Sequence, residues 1–158
     1  VSAVNFNAPG QVVIAGNKAA VDRAIAVCSD KGARKAMPLP VSVPSHCALM
    51  KGAAEELAKA LNDVSFGNAL TPVVQNVSAE LVQDADQLKA NLVQQLYSPV
   101  RWTDSMRVLV EENVGVAAEC GAGKVLAGLA KRIDRSLKVF SLESPEGMDS
   151  ALEAFRKD

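Results

Sequence analysis

Residues 114–133 read VGVAAECGAGKVLAGLAKRI. The apolar run at 114–120 predicts a buried strand, the glycines of GAGK at 121–124 predict a tight turn, and the residues up to Ile133 predict a helix. The segments 136–142 and 147–156 continue the pattern with another strand and a last helix. Strands that alternate with helices favour a parallel sheet with helices on both faces, so this stretch indicates an α/β fold.

The alternation of helices and strands extends upstream to residue 41. A helix over 84–97 is predicted because leucines recur at every fourth position, and Ser98-Pro99 interrupts it. The same periodicities predict a helix from about His46 to Leu61, a strand over 72–77 and a helix over 102–113. Residues 41–158 therefore form one predicted α/β unit.

The first 40 residues follow a different pattern. Residues 1–16 alternate around Pro9-Gly10 and predict a β-hairpin. A helix follows, with Asn17 as its N-cap and Gly32 at its end, and residues 33–39 are predicted to form a strand. This β-β-α-β order matches the last four elements of a ferredoxin-like β-α-β-β-α-β unit, so we expect part of such a unit at 1–40.

The composition limits the classes of function. Among 158 residues 49% are hydrophobic but only 4% are aromatic, so the core is expected to be aliphatic. A net charge of -1 does not favour nucleic acid or a membrane surface as a partner. Three cysteines without a CxxC pair are typical of reduced thiols in a cytoplasmic protein. The chain also begins without methionine inside a predicted strand, and we expect it to be part of a longer protein.

His46, the only histidine, is the first candidate for chemistry. Histidine is the side chain best suited to act as a general base near neutral pH, although it also fits a plain polar position where a helix begins. Cys47 and Ser45 are adjacent, but consecutive helical side chains do not face each other. No serine lies in the Gly-x-Ser-x-Gly turn that a hydrolase nucleophile needs. A nucleophile for His46 is therefore expected outside this chain.

Four segments carry a family resemblance: NFNAPGQVVIAG at 5–16, LPVSVPSHCALM at 39–50, QLYSPVRW at 95–102 and GAGKVL at 121–126. In this order, and over essentially the whole chain, they resemble the malonyl-CoA:acyl carrier protein transacylases of bacterial fatty acid synthesis. The resemblance implies an α/β-hydrolase-like core with an inserted ferredoxin-like small subdomain. Residues 1–40 would be part of the small subdomain, and residues 41–158 the C-terminal part of the core.

The resemblance also implies a mechanism in which the acyl group moves from a coenzyme A thioester to a serine and then to the phosphopantetheine thiol of acyl carrier protein. His46 matches the catalytic histidine, and Gln95 matches the residue whose main-chain carbonyl orients it. The expected partners are malonyl-CoA, acyl carrier protein and a missing N-terminal part of the same enzyme, which would carry the serine and a carboxylate-binding arginine. No permanently bound cofactor and no metal are implied, since coenzyme A enters as substrate.

Four further positions are implied to line the substrate cleft. Asn5, Asn7 and Gln11 match small-subdomain positions that can touch coenzyme A or phosphopantetheine, although asparagine is also common beside a Pro-Gly turn. Ser45 matches a position that shapes the acyl pocket in related polyketide acyltransferases.

Two other functions stay open on sequence grounds. One is a trans-acting polyketide acyltransferase that uses the same machinery with another acyl preference, and the other is a non-catalytic binding module of the same fold. The GAGK turn at 121–124 is similar to part of a phosphate-binding loop, but Ala118 and Val125 stand where that loop needs Gly and Ser or Thr. We interpret it as a tight turn between strand and helix.

Overall fold

The computed structural model describes residues 1–157 as a mixed α/β fold. The strands are β1 (Ser2–Ala8), β2 (Gln11–Ala15), β3 (Val73–Val74), β4 (Leu81–Val82), β5 (Val116–Glu119) and β6 (Lys138–Ser141). The helices are α1 (Lys18–Asp30), α2 (Lys51–Leu61), α3 (Ala85–Gln95), α4 (Trp102–Glu111), α5 (Val125–Ile133) and α6 (Pro145–Phe155), with a 3₁₀ turn at Ala48–Met50 before α2.

The stretch 114–142 folds as its sequence predicts. Strands β5 and β6 pair in parallel, from Val116 opposite Lys138 to Glu119 opposite Ser141, and α5 connects them. Parallel neighbours need such a crossover because a tight turn can only reverse the chain. Helices α5 and α6 both contact β6. The parallel pair and its crossover helix confirm the α/β prediction for this part of the chain.

The main core lies between α4, α5 and this parallel pair. Met106, Ala130 and Leu137 are buried at its centre, and Trp102 at the start of α4 packs against them. The other contacting side chains are aliphatic: Leu109, Val110, Val114, Ala117, Ile133 and Val139. The aliphatic core expected from the composition is confirmed, with a tryptophan at its edge.

The predicted N-terminal hairpin is present and is tied to the start of α4. Strands β1 and β2 pair antiparallel around Gly10, whose φ of 74° lies in the left-handed region that favours glycine. Phe6 N donates to Val100 O at 2.9 Å, and Val100 N donates to Val4 O at 2.8 Å. The Thr103 hydroxyl also donates to Phe6 O at 2.9 Å. Strand β1 thus extends its hydrogen bonding into the segment that links α3 to α4.

The strand expected at residues 33–39 is absent, so the predicted β-β-α-β order is wrong in its last element. Helix α1 forms with Asn17 at its N-cap position as predicted, although the Asn17 side chain makes no capping hydrogen bond. An irregular, mostly exposed segment follows the helix up to the 3₁₀ turn. Pro38 and Pro40 have no N–H to donate to a neighbouring strand. No strand pairs with this segment among residues 1–157.

The helix expected to begin at His46 is also corrected. His46 has a φ of 63°, in the left-handed region, and a 3₁₀ turn with Cys47 as its N-cap separates it from α2. His46 therefore does not sit at the positive end of a helix.

Strand β4 is a further departure from the predictions, because two residues are too few to show an alternation in the sequence. It pairs antiparallel with β3.

Candidate active site

His46 is held by the main chain at the end of α3. Its ring nitrogen Nδ1 lies 2.8 Å from the carbonyl oxygen of Gln95, and its main-chain N–H donates to the carbonyl oxygen of Leu96 at 2.9 Å. A carbonyl can only accept, so this partner assigns the proton to Nδ1 and leaves Nε2 as the basic nitrogen. Nε2 has no hydrogen-bond partner within residues 1–157. The half-buried ring is thus poised to accept a proton at Nε2.

The chain order explains why these two carbonyls are free. In a continuing helix the carbonyl of Gln95 would accept from residue 99, and that of Leu96 from residue 100. Residue 99 is proline and has no N–H. The N–H of Val100 is taken by Val4 of β1. Both carbonyls at the C-terminal end of α3 are therefore available to His46.

The position of His46 also determines which end of a helix dipole its ring faces. The C-terminal end of a helix carries partial negative charge on its unpaired carbonyls. Since His46 contacts the end of α3, the partial negative charge of these carbonyls lies beside the ring. A helix beginning at His46, as the sequence predicts, would instead place the ring at a positive helix end.

A left-handed conformation at a residue other than glycine costs roughly 1–2 kcal/mol. At His46 this conformation turns the backbone so that both the N–H and the ring face the end of α3. Left-handed residues of this kind concentrate at functional sites, where the surrounding contacts hold them in place.

A cleft of about 300 Å³ lies beside His46, between α2 and α3. Its walls are mainly aliphatic, and Ser45, His46 and Gln95 lie at one side of it. The remaining lining side chains are Met50, Leu57, Leu61, Leu92 and Leu96. The structure therefore brings three of the six candidate residues together around one apolar cleft.

The other three candidates lie on the hairpin and do not line this cleft. Asn5 forms a bridge to Val100, next to the turn that follows α3. The Gln11 side-chain oxygen accepts a hydrogen bond from Arg132 at the end of α5. Asn7 is half-buried on β1. No hydrogen bond within residues 1–157 joins these three to His46.

The structure separates the thiol of Cys47 from the imidazole of His46. Cys47 is 4% exposed, and its Sγ donates to the carbonyl of Pro44 at 3.2 Å. The imidazole uses the carbonyl of Gln95 instead. The described residues therefore contain no Cys-His pair at this site.

The turn at 121–124 is stabilised from within. The buried carboxylate of Glu119 accepts from the N–H groups of Leu126 and Ala127 at 3.0 and 2.9 Å. Free N–H groups at a helix N-terminus are what a phosphate loop offers its ligand. Because a side chain of the same chain occupies two of them, the tight-turn interpretation is confirmed.

Residues 1–157 contain neither a metal site nor a membrane-spanning helix. No group of three or more His, Cys, Asp or Glu side chains in that range is placed to hold a metal ion. None of the helices described is both long enough and apolar enough to cross a bilayer.

Comparison with known proteins gives the family relationship. No protein-family model matches the chain. The malonyl CoA-acyl carrier protein transacylase of Escherichia coli strain K12 is 52% identical over 153 residues, which cover 97% of this chain and 50% of that protein. The transacylase of the same name from Bacillus subtilis strain 168 is 40% identical over 158 residues, 100% of this chain and 50% of that protein.

Solved structures agree with these relatives. A malonyl-transacylase in complex with a type II PKS acyl-carrier protein matches with a TM-score of 0.93 and 50% identity, over 97% of this chain and 50% of the solved chain. The transacylase of Xanthomonas oryzae pv. oryzae matches with a TM-score of 0.93 and 47% sequence identity. The match covers 96% of this chain and 48% of the solved chain. The chain spans about half the length of the curated relatives it matches. By sequence and by structure, the chain is therefore homologous to the malonyl-CoA:acyl carrier protein transacylases over about half of their length.

Proposed function

We propose that this chain supplies the histidine side of an acyltransferase site that moves a malonyl group from malonyl-CoA to acyl carrier protein. The observation that carries the proposal is the placement of His46. Its Nδ1 is fixed on the Gln95 carbonyl at 2.8 Å, its Nε2 is unpartnered among the described residues, and an apolar cleft lies beside it. The names of the homologous transacylases indicate the substrates.

In the proposed reaction, Nε2 of His46 takes the proton of a serine hydroxyl as the oxygen attacks the malonyl thioester. The carbon–sulfur bond breaks, and the imidazolium returns the proton to the leaving thiolate of coenzyme A. The phosphopantetheine thiol then gives its proton to Nε2, and its sulfur attacks the acyl-serine. The ester bond to serine breaks, the imidazolium returns the proton to the serine oxygen, and the malonyl thioester of acyl carrier protein leaves. No serine of this chain lies in a nucleophile turn, so the serine belongs to a segment outside this sequence.

The main-chain carbonyl of Gln95 takes the place of the carboxylate in a Ser-His-Asp triad. It holds the ring and its tautomer, as the carboxylate does. Because a carbonyl is neutral, it stabilises the imidazolium less than an aspartate would, and the second carbonyl at the end of α3 adds a further partial negative charge near His46.

The finer fold and the substrate contacts are part of the same proposal. Residues 1–40 belong to a ferredoxin-like small subdomain, and residues 41–158 to the C-terminal part of an α/β-hydrolase-like core. Asn5 and Asn7 are offered as contacts for coenzyme A or phosphopantetheine, together with Gln11 once it exchanges its bond to Arg132. Ser45 borders the cleft beside His46 and is offered as an acyl contact.

The proposed partners are malonyl-CoA, acyl carrier protein and the segment that carries the serine. Coenzyme A thioester is a substrate, and the proposed mechanism uses no resident cofactor. A cytoplasmic location fits the three free cysteines among the described residues.

A chimera tests this function. In it, this chain replaces the matching half of the Escherichia coli relative, which is 52% identical. The chimera is expected to transfer radiolabelled malonyl from malonyl-CoA to acyl carrier protein, whereas the 158-residue chain alone transfers none. A preference for methylmalonyl- or acetyl-CoA would favour the polyketide alternative. Transfer by the chain alone, or none by a folded chimera, would contradict the proposal.

A further inference from the structure

We propose that the side-chain amide of Gln95 is a positioning residue for His46, in addition to the carbonyl that its main chain offers. The inference deepens the proposed function and rests on it. The family resemblance implies a role for the Gln95 backbone alone. The structure places the amide where it shapes the turn that presents this backbone to the ring.

The amide of Gln95 closes the turn after α3. Its Nε2 donates to the carbonyl of Ser98 at 2.9 Å and approaches the carbonyl of Pro99 at 3.4 Å. Both partners can only accept, so the amide orientation is fixed with nitrogen toward the turn. The side chain thus ties residue 95 to residues 98 and 99.

This tie supplies a link that the backbone lacks. Pro99 has no N–H with which to hold the last turn of α3 to the Gln95 carbonyl. The Gln95 side chain connects the same positions with donor and acceptor exchanged. Its amide donates to the carbonyls of Ser98 and Pro99. The turn stays closed while the Gln95 carbonyl stays free for His46.

The amide also favours one tautomer of His46. Gln95 Nε2 lies 3.4 Å from Nδ1 of the ring, which is no nearer than the Pro99 carbonyl and farther than the Ser98 carbonyl at 2.9 Å. Nδ1 has the main-chain carbonyl of Gln95 as its acceptor at 2.8 Å, and this contact is shorter than the 3.4 Å approach of the amide. If the amide were lost, the turn could relax and the ring would no longer be restricted to the Nδ1–H form.

The chain offers a matched control at the next position. Gln94 is exposed, whereas Gln95 is half-buried beside His46. Gln95→Met keeps the length of the side chain and removes its donor, and Gln94→Met makes the same exchange outside the site. Gln95→Asn, which keeps the amide but shortens its reach, provides a milder second variant.

The test uses the chimera with ¹⁵N only in this chain, so that His46 is the only labelled imidazole. The parent and Gln94→Met are expected to show the Nδ1–H tautomer at high pH, and Gln95→Met a mixture of both. In single-turnover assays Gln95→Met should form the acyl-enzyme about 10- to 100-fold more slowly, the range for a misplaced catalytic group, with KM for malonyl-CoA within about twofold.

Gln95→Asn, which keeps an amide at this position, is expected to shift the tautomer and the rate in the same direction. A single Nδ1–H form and an unchanged rate in both Gln95 variants would overturn the inference. The measurement of the His46 tautomer does not require the chimera to be active. An inactive parent chimera would count against the proposed function, while the ring signals would still decide the role of Gln95.

Discussion

The main-chain N–H of His46 donates to the carbonyl of Leu96 at 2.9 Å because the usual helical donor for that carbonyl, Val100, bonds to Val4 instead. The N-terminal hairpin and the candidate base are thus linked through the end of α3. Any change that lets α3 continue by one turn should compete with His46 for its partners.

Pro99→Ala tests that competition. The new N–H at position 99 can bond to the Gln95 carbonyl, as in a regular helix, and so compete with Nδ1 of His46. One shared hydrogen bond is worth about 0.5–1.5 kcal/mol, so acyl-serine formation in the chimera should slow by a factor of about 2 to 10. Stopped-flow release of coenzyme A measures the rate, with Pro72→Ala as the control. Equal rates in both variants would show that Pro99 does not protect the carbonyl.

Glu119→Gln tests the turn before α5. The carboxylate accepts two main-chain N–H groups, and an amide would offer one acceptor and turn its NH₂ toward the other donor. The free energy of unfolding should fall by about 1–3 kcal/mol. Urea unfolding of the chain measures it, with exposed Glu112→Gln as the control. A loss no larger than in the control would mean that the carboxylate does not stabilise this turn.

The three thiols should react at different rates. Cys28 and Cys120 are exposed, while Cys47 is 4% exposed and donates to Pro44. Brief alkylation followed by peptide mass spectrometry should label the first two and spare Cys47 until urea is added. Rapid labelling of Cys47 in the native chain would contradict its placement and reopen its role as a nucleophile.

The hydrogen bonds between Ser136 and the carboxyl of Asp134 can be tested by titration. The hydroxyl and then the main-chain N–H of Ser136 hold the pKa of Asp134 below its ordinary value of 3.8. The contribution of Asp134 to stability is therefore present above pH 3.8 and is lost as pH falls through the lowered pKa. In Ser136→Ala the pKa, followed by carbon NMR, should move up toward 3.8.

Glu146 is the internal control for that titration. Its own main-chain N–H and the Ser144 hydroxyl lower its pKa at the start of α6, away from Ser136. The pKa of Glu146 should stay where it is in Ser136→Ala. A shift of both groups would indicate a change in the fold rather than the loss of one hydrogen bond.

Much of the fold could be predicted because its signals are local. The hairpin, the parallel pair and helices α3 to α6 follow from periodicity and from turns such as Pro9-Gly10 and Ser98-Pro99. The strand expected at 33–39 failed because pairing depends on a partner that local sequence does not contain. The helix expected at His46 failed because contacts with the end of α3 outweigh local preference.

The site was predictable in its residues but not in its geometry. Resemblance to a family pointed to His46, Gln95 and Ser45, which the fold places at one cleft. The Leu96 carbonyl contacts His46 across 50 positions of the sequence, and no periodicity encodes such a contact. The Gln95 amide bonds locally to Ser98 and Pro99, but its effect on His46 depends on a contact across 49 positions that only the fold creates. Pro99 was the available signal, since it leaves the Gln95 carbonyl without its helical donor.

If His46 is the base for acyl transfer, its loss must slow the formation of malonyl-serine in the chimera. A burst of labelled acyl-enzyme from malonyl-CoA should appear in the parent and in Cys47→Ala at similar rates. In His46→Ala it should be slower by about 10²–10⁴, the usual contribution of a positioned base. A burst in His46→Ala as fast as in the parent would contradict the account.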